Sequence, residues 1–539
     1  MTQDLEIRTK RRRIVTRRSR NGCITCKQRK VRCDETTPSC IRCEKYGVQC
    51  DGYAKPPPKA IPSGPKPLLP KGHCSSKSLP LTSALFRQLF RNEQEYRYFN
   101  IFCTQTSHQI SGHFSSKIWQ SLILQASQAE ALIRHVVIAL GALINKPTSS
   151  ESALSRRQFA FHQYHLSISL LRSQVSPQID RKAFPHAQLR TTLLACLLFA
   201  IFETYNGYIS SATTQIYSGV RLLSDWQSTQ THLTTKISSI RSPRPLVIED
   251  ELIHAFSELE TEAMCRHDTR SAELHETCRY YGQMAIDTMP SSFQDLKEAR
   301  AYLILIGQRA LHLTAWMKQK GNGALGLRSP EVFERMKETE VAIRRMQGEY
   351  ERWEAAFQKL WDEGKGTSKG VMTLRIQFLT ARAWENAMKP GIGVFYGDNT
   401  EILTEIVELA RKVRDTSDGE IDSGFGFEGG LITGLRTVGF VYRHRRLKRY
   451  AVQILLERPW KEGLWDSFIV GKAMEWLANL EDEGVSEDEE YVPEEKVLKE
   501  FTMSQDEMGR RTIVTGLHAV QGPDGVEVRR KELVIPWLP

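Results

Sequence analysis

Residues 23–50 read C-I-T-C-K-Q-R-K-V-R-C-D-E-T-T-P-S-C-I-R-C-E-K-Y-G-V-Q-C, and this stretch decides the fold of the N-terminus. Its six cysteines, Cys23, Cys26, Cys33, Cys40, Cys43 and Cys50, follow C-x2-C-x6-C-x6-C-x2-C-x6-C, two copies of C-x2-C-x6-C. Tetrahedral zinc takes four ligands, so two ions need eight ligand positions. Six thiolates fill eight positions only when two sulfurs are shared. Between the second and third cysteines runs Lys27-Gln28-Arg29-Lys30-Val31-Arg32. A metal-clamped scaffold that displays cations points to a nucleic-acid reader.

Two other uses of the cysteines are excluded by context. A disulfide framework belongs to secreted chains, yet the first twenty residues are basic and hold no apolar h-region. Two separate four-ligand fingers need eight ligands, and His73 is too distant to contribute.

Residues 17–53 resemble the zinc binuclear cluster, Zn2Cys6, of fungal transcription regulators. The likeness rests on all six cysteines at family spacing, the basic stretch after Cys26, and Pro38 before the fourth cysteine. It implies two zinc ions, one held by Cys23, Cys26, Cys33 and Cys40. The other is held by Cys40, Cys43, Cys50 and Cys23, so that Cys23 and Cys40 bridge. It also implies that Lys30, with its neighbour Arg29, reads a CGG-like triplet from the end of a helix. The residues themselves suggest a helix beginning near Cys26 with Lys27 and Lys30 three apart on one face. The major groove admits such a helix, and a lysine or arginine there meets the N7 and O6 acceptors of guanine. Lys30 is expected to be the principal base reader, with Lys27 and Arg32 on phosphates, which position without specifying.

The apolar complement of this head is small: Ile24, Val31, Ile41, Tyr46 and Val48 are nearly all of it. Structural zinc, worth about 10–16 kcal/mol, must supply the stability.

Charge is concentrated in the same region. Residues 1–80 carry a net +13, and residues 81–539 a net −2, of a total of +11. That asymmetry assigns a polyanionic partner to the N-terminus alone. Residues 1–20 form a basic arm with Lys10-Arg11-Arg12-Arg13, then Arg17, Arg18 and Arg20. Such a run serves as a nuclear localisation signal or a grip on the DNA backbone.

Residues 21–53 are the head, and residues 54–80, rich in proline, are a semi-extended linker. Leu85, Leu89, Asn92, Tyr96 and Phe99 offer barely two heptads. Three or four are needed for a coiled coil, so a homodimer has no visible pairing element and an amphipathic helix is expected instead.

Residues 81–480 read as a mostly all-α regulatory domain, one helical body or two packed halves, resembling the middle region of the same fungal regulators. Leu132, Ile133, Val136, Val137, Leu140, Leu143 and Ile144 follow helical spacing. Leu193–Phe202 is ten consecutive apolar residues, half the length that spans a bilayer, and so a buried helix with no membrane role. Further apolar faces lie at Ile216–Trp226, Tyr302–Trp316, Val371–Ala387, Ile402–Val413 and Tyr450–Leu456. Residues 481–495 form an acidic segment, nine acids in fifteen residues, expected as a solvated loop or a coactivator contact. In residues 496–539, Arg511–Val520 and Val526–Ile535 flank a Gly-Pro-Asp-Gly turn and predict a short C-terminal β-hairpin.

Motifs for catalysis are weak. Gly321-x-Gly323-x-x-Gly326 and Gly424-x-Gly426-x-x-Gly429 match GxGxxG, but neither follows a predicted strand. Cys265, His267, His275 and Cys278 suggest a second metal site; on one helix positions 265 and 267 point about 200° apart and cannot converge. His162 and His165 share a helix face and suggest aromatic packing beside Phe159 and Phe161.

The expectation is therefore not an enzyme but a nuclear, zinc-dependent regulator of RNA polymerase II transcription. Its partners are double-stranded DNA and coregulator proteins. An enzyme with a DNA-targeting head, or a basic chromatin- or RNA-associated protein without sequence specificity, are the alternatives.

Overall fold

The computed structural model describes residues 21–53, 89–114, 117–144, 152–174, 186–230, 240–266, 268–321, 330–365, 367–387, 399–415, 424–427, 429–522 and 525–537. Two units divide the chain, residues 1–78 and 79–539. The basic arm, the proline-rich linker and Leu85 lie outside the described residues.

In the N-terminal unit two one-turn helices carry the cysteine pairs: α1 (Ile24–Gln28) and α2 (Ile41–Lys45).

In the C-terminal unit Asn92 caps a helix. Its side chain accepts the Glu95 N–H at 2.8 Å, and Glu95 in turn accepts the Arg91 N–H at 2.8 Å. These reciprocal bonds start α3 (Glu93–Ile101), so Asn92 caps a helix rather than sitting inside a heptad. Then follow α4 (Ser107–Ile110), α5 (Ile123–Ala129), α6 (Ala131–Ile144), α7 (Ala153–Gln174), α8 (His186–Tyr205), α9 (Ile209–Thr229) and α10 (Asp250–Arg266). After these come α11 (Ala272–Cys278), α12 (Gln283–Asp287), α13 (Leu296–Gly321), α14 (Pro330–Gly364) and α15 (Lys369–Ala387). The helical series closes with α16 (Thr400–Asp415), α17 (Leu431–Phe440), α18 (Arg445–Glu457) and α19 (Ser467–Glu481).

Two hydrophobic clusters organise this unit. The first gathers α3 to α10, and all ten residues of Leu193–Phe202 are buried in it. Burying a side chain of this kind contributes about 1.5–3 kcal/mol relative to exposure. α3 and α6 cross so closely that a Cβ on Gly141 would stand 2.1 Å from the Tyr98 carbonyl oxygen, so only glycine fits there. The second cluster gathers α12 to α19 around Trp353. That ring stacks on Phe357 and Phe378 at 4.7 and 5.0 Å and donates its N–H to the Ala299 carbonyl at 2.8 Å. None of the described helices is long and apolar enough to cross a membrane.

Strands are few. β1 (Phe425–Gly426) pairs parallel with β2 (Lys461–Glu462), which pairs antiparallel with β3 (Trp465–Asp466). The expected C-terminal hairpin forms, with β5 (Arg511–Gly522) and β6 (Gly525–Pro536) in register from Arg511↔Pro536 to Gly522↔Gly525. It is not alone: β4 (Lys499–Asp506) adds a third antiparallel strand beside β5. Val514 and Ile535 press this sheet onto Ile469 and Ala473 of α19.

The acidic segment is neither free nor merely solvated. Arg445 and Arg449 reach Asp482, His444 reaches Glu490 at 3.0 Å, and Lys448 meets Glu481 at 2.5 Å with both side chains buried. Tyr491 bridges His444 and bonds Thr400, while Val492 is buried. Glu481, Asp482 and Glu490 thus tie the segment to the basic run Arg443–Arg449, while Glu483, Glu487, Asp488, Glu489, Glu494 and Glu495 are exposed as expected of a solvated loop.

Candidate metal centre and nucleic-acid interface

The two halves of the head repeat in three dimensions as they do in sequence. Cys23 caps α1 by accepting the Cys26 N–H at 3.4 Å, and Cys40 caps α2 by accepting the Cys43 N–H at 3.4 Å. The Cys23 N–H points to Cys33 Sγ at 3.4 Å, and the Cys40 N–H to Cys50 Sγ at 3.5 Å. Every sulfur but two is thus oriented by the same local device, and Cys23 and Cys40 occupy equivalent places.

At the centre four sulfurs converge: Cys23, Cys26, Cys40 and Cys43 lie mutually within 4.8 Å. Cys23 and Cys40 are 3.5 Å apart, Cys23 and Cys43 3.8 Å, Cys26 and Cys40 3.6 Å, and Cys26 and Cys43 3.7 Å. A tetrahedron with Zn–S bonds of about 2.3 Å has edges of about 3.8 Å, close to the Cys23–Cys40, Cys26–Cys40 and Cys23–Cys43 spacings, while Cys26 and Cys43 belong to different ions in the expected sets. All these spacings are far too long for disulfides, which need about 2.05 Å. Cys33 lies beside Cys26 and Cys40, and Cys50 beside Cys23 and Cys40, one at each end of the central group.

Without a cation the thiols divide electrostatically. Burial pushes Cys23 up to about 12 and raises Cys40 further. Cys33 falls to about 6, because N–H groups of Cys23 and Glu35 and the Tyr53 hydroxyl outweigh its burial. Cys50 falls to about 7 under the N–H groups of Cys40 and Gly52. A divalent cation among six such sulfurs reverses the cost of ionising the central pair.

Little else holds the head together. Ile24, Ile41, Tyr46 and Val48, expected as its apolar core, are 37%, 46%, 68% and 36% exposed. The core is the sulfur atoms themselves, with Val31, Cys50 and Tyr53 against them. Polar braces assist: Thr25 donates to Asp51 at 2.8 Å, and Asp34 accepts the Ile41 and Arg42 N–H groups at 2.9 and 3.1 Å. Asp34 is therefore engaged as a cap for α2. Sequence reasoning missed these braces; the seventeen-residue offset that relates Asp34 to Asp51 was the available signal.

The basic residues stand differently from the expectation. α1 begins at Ile24 and stops at Gln28, so Lys27 lies on it and Lys30 lies beyond its end. The Lys30 N–H bonds the Lys27 carbonyl and the Val31 N–H bonds the Cys26 carbonyl, with Lys30 at φ 58°. That is a Schellman ending with a left-handed residue. α2 ends identically: Gly47 at φ 72° bonds Glu44, and Val48 bonds Cys43. Gly47 and Lys30 are equivalents. Lys27, Lys30 and Arg32 are exposed, while Arg29 is half-buried with its guanidinium 3.6 Å from the Tyr46 ring centroid. Arg17, Arg18 and Arg20 lie outside the described residues.

The weaker motifs resolve plainly. Among the described residues no metal-holding group forms at Cys265, His275 or Cys278, and His267 is not described. His275 faces His312 instead, with Nδ1 atoms 2.9 Å apart. His162 and His165 are exposed, with the His165 ring 6.1 Å from that of Tyr164 rather than beside Phe159 or Phe161. Gly323 and Gly326 lie outside the described residues. Gly424–Gly429 follows no strand among the described residues; it contains the two-residue β1, and α17 comes after it. The N-terminus of α17 is filled from within: Glu462 accepts the Leu431 and Ile432 N–H groups at 3.2 and 2.7 Å. A carboxylate stands where a phosphate would need to sit.

Comparison with known proteins agrees with this geometry. The family model for the fungal Zn(2)-Cys(6) binuclear cluster domain matches residues 21–60. A curated relative, the aspercryptin biosynthesis cluster-specific transcription regulator atnN of Emericella nidulans, is 28% identical over 275 residues. That match covers 48% of this chain and 42% of the relative, so the chain spans under half the length of the protein it matches. It is longer than the whole N-terminal unit and so extends into the helical one. No solved structure matches the chain. Residues 21–60 are therefore a fungal Zn(2)-Cys(6) binuclear cluster domain.

Proposed function

We propose that this protein is a nuclear, zinc-dependent, sequence-specific regulator of RNA polymerase II transcription that binds CGG-like triplets. In this reading Cys23, Cys26, Cys33, Cys40, Cys43 and Cys50 hold two zinc ions, with Cys23 and Cys40 bridging. Zinc, when bound, neutralises the thiolates and closes the two halves into one rigid head. The equivalence of Cys23 and Cys40, and the flanking places of Cys33 and Cys50, support that assignment.

One observation carries the base-reading role. Lys30 and Glu35 both take left-handed conformations that their counterparts fill with glycine, Gly47 and Gly52, and of the two only Lys30 is a cation at the end of α1. A side chain there costs about 1–2 kcal/mol, and strain of this kind is retained at functional positions. Lys30, exposed at the end of α1, is the principal base reader. Lys27 and Arg32 contact phosphates, and Arg29, held on Tyr46, steadies the end of α1 beside Lys30. Arg17, Arg18 and Arg20 grip the backbone from the arm. The helical unit serves control and coregulator contacts, as the regulator role in the relative's name supports. Catalysis has no part in this reading.

Competition between CGG-bearing and scrambled duplexes, with the full chain, tests it. Preferential binding of the CGG duplex is expected. Equal binding at matched salt would leave a nonspecific chromatin or RNA protein as the better account.

A further inference from the structure

Ser486 lies within the acidic segment and is followed directly by Glu487, Asp488, Glu489 and Glu490. Among the described residues an acid stands three places after Ser127, Ser257, Ser292, Ser486 and Ser504. Of these, Ser486 alone has an acid at each of the next four places. The structure separates these serines further. Ser127 is buried in α5 and donates to the Leu124 carbonyl at 2.7 Å. Ser257 lies inside α10, and Ser504 inside β4, where it donates to the Ile513 carbonyl at 3.4 Å. After Ser292 the chain is pinned: Phe293 is buried, and its N–H bonds the Ala356 carbonyl at 3.1 Å.

Ser486 is presented differently. It sits between α19 and β4, in neither helix nor strand, and is exposed together with all four acids. The loop is held through its backbone, which leaves these side chains outward. Arg445 Nη1 donates to the carbonyls of Ser486 and Glu489 at 2.5 and 2.7 Å, and the Arg445 N–H to the Glu490 carbonyl at 3.0 Å. Ser486 Oγ accepts the Asp488 N–H at 3.4 Å, and its own proton meets no acceptor among the described residues. An accessible hydroxyl at the head of an anionic run fits an enzyme whose substrate groove is cationic.

We propose that Ser486 is a phosphorylation site for an acid-directed protein kinase, which reads Glu487 to Glu490. Ser486 Oγ attacks the γ-phosphorus of ATP. The Oγ–P bond forms, the bond from that phosphorus to the β–γ bridging oxygen breaks, and ADP leaves with the electron pair. The hydroxyl proton passes to the carboxylate base of the kinase. Phosphate adds about 1.5–2 negative charges at pH 7, so the charge of this face comes under enzymatic control.

The test treats the full zinc-loaded chain with casein kinase II, an acid-directed kinase, and magnesium ATP. Peptide mass spectrometry should place a phosphate on Ser486, and Ser486→Ala should lose it with an unchanged thermal melt. Glu487→Gln with Glu489→Gln should slow labelling of Ser486 about tenfold or more, the scale of electrostatic steering. These two side chains are exposed, so that variant should also melt as wild type. No phosphate on Ser486, undiminished labelling in the double variant, or labelling of Ser127, Ser257, Ser292 or Ser504 as fast as Ser486 overturns the proposal.

Discussion

Arg29 lays its guanidinium 3.6 Å from the ring centroid of Tyr46, and the two residues are equivalents, each the C-cap of its one-turn helix. The contact joins the two halves of the head at their counterpart positions. With Tyr46 68% exposed, a cation–π contact of this kind contributes about 0.5–1 kcal/mol. Tyr46→Ala is expected to release zinc to a competing chelator roughly two- to fivefold faster, that energy converted to a rate. Tyr46→Phe should behave as wild type, since the ring face is retained. Equal loss in both variants would assign the effect to the hydroxyl.

Lys30 separates stability from recognition. Lys30→Gly removes left-handed strain of about 1–2 kcal/mol, while the freer unfolded chain returns about 0.5–1 kcal/mol of that. The head should hold zinc at least as well as wild type. Affinity for the preferred duplex should nevertheless fall by about 1–3 kcal/mol, with relaxed base choice. Lys27→Ala should weaken all duplexes evenly and shorten the salt slope by about one. An even loss in Lys30→Gly as well would make Lys30 a phosphate contact.

The Lys448–Glu481 pair anchors the acidic strap, with side chains 3% and 5% exposed at 2.5 Å. Removing one partner strands a buried charge, so Lys448→Met should cost about 3–5 kcal/mol. The double replacement Lys448→Met with Glu481→Met should recover most of it. Denaturant melts of the three variants supply the comparison, and additive losses would contradict the pairing.

Glu262 gives a pH signature. Burial, then the neighbouring Glu462 and Glu258 carboxylates, push it up to about 8, against the partial relief of Arg436. Its folded value lies above the ordinary carboxylate value of about 4.3, so the folded state holds the proton more tightly. The stabilisation is full below the unfolded value and fades as pH rises through about 8. Stability should decline between about pH 4.3 and 8, and Glu262→Gln should flatten that decline. An unchanged slope in the variant would exclude Glu262 as its source.

How much of this was legible in the sequence follows from locality. The cysteine spacing announced the metal centre because the repeat itself encodes the two helix caps at Cys23 and Cys40. The helices of the large unit were equally readable, since Leu193–Phe202 and the spaced apolar residues of α6 fix their burial by period alone. What escaped depends on residues meeting across the fold. Arg29 reads as one more surface cation until Tyr46, seventeen positions away, lies beneath it. Glu481 and Asp482, at the start of the acidic run, read as solvated until Arg445, Lys448 and Arg449 meet them. β4, Lys499–Asp506, carries too little alternation to announce itself, and its strand is made by pairing with β5. The start of α1 at Ile24 was missed because the Cys23 sulfur, rather than a serine or aspartate, caps it.

Counting zinc on the intact chain by native mass spectrometry tests the central claim most directly. Two ions per chain are predicted, and Cys40→Ala, which strikes both sites through one sulfur, should lose both. A wild-type chain that carries one ion, or a Cys40→Ala chain that keeps a full complement, would contradict the shared-sulfur centre.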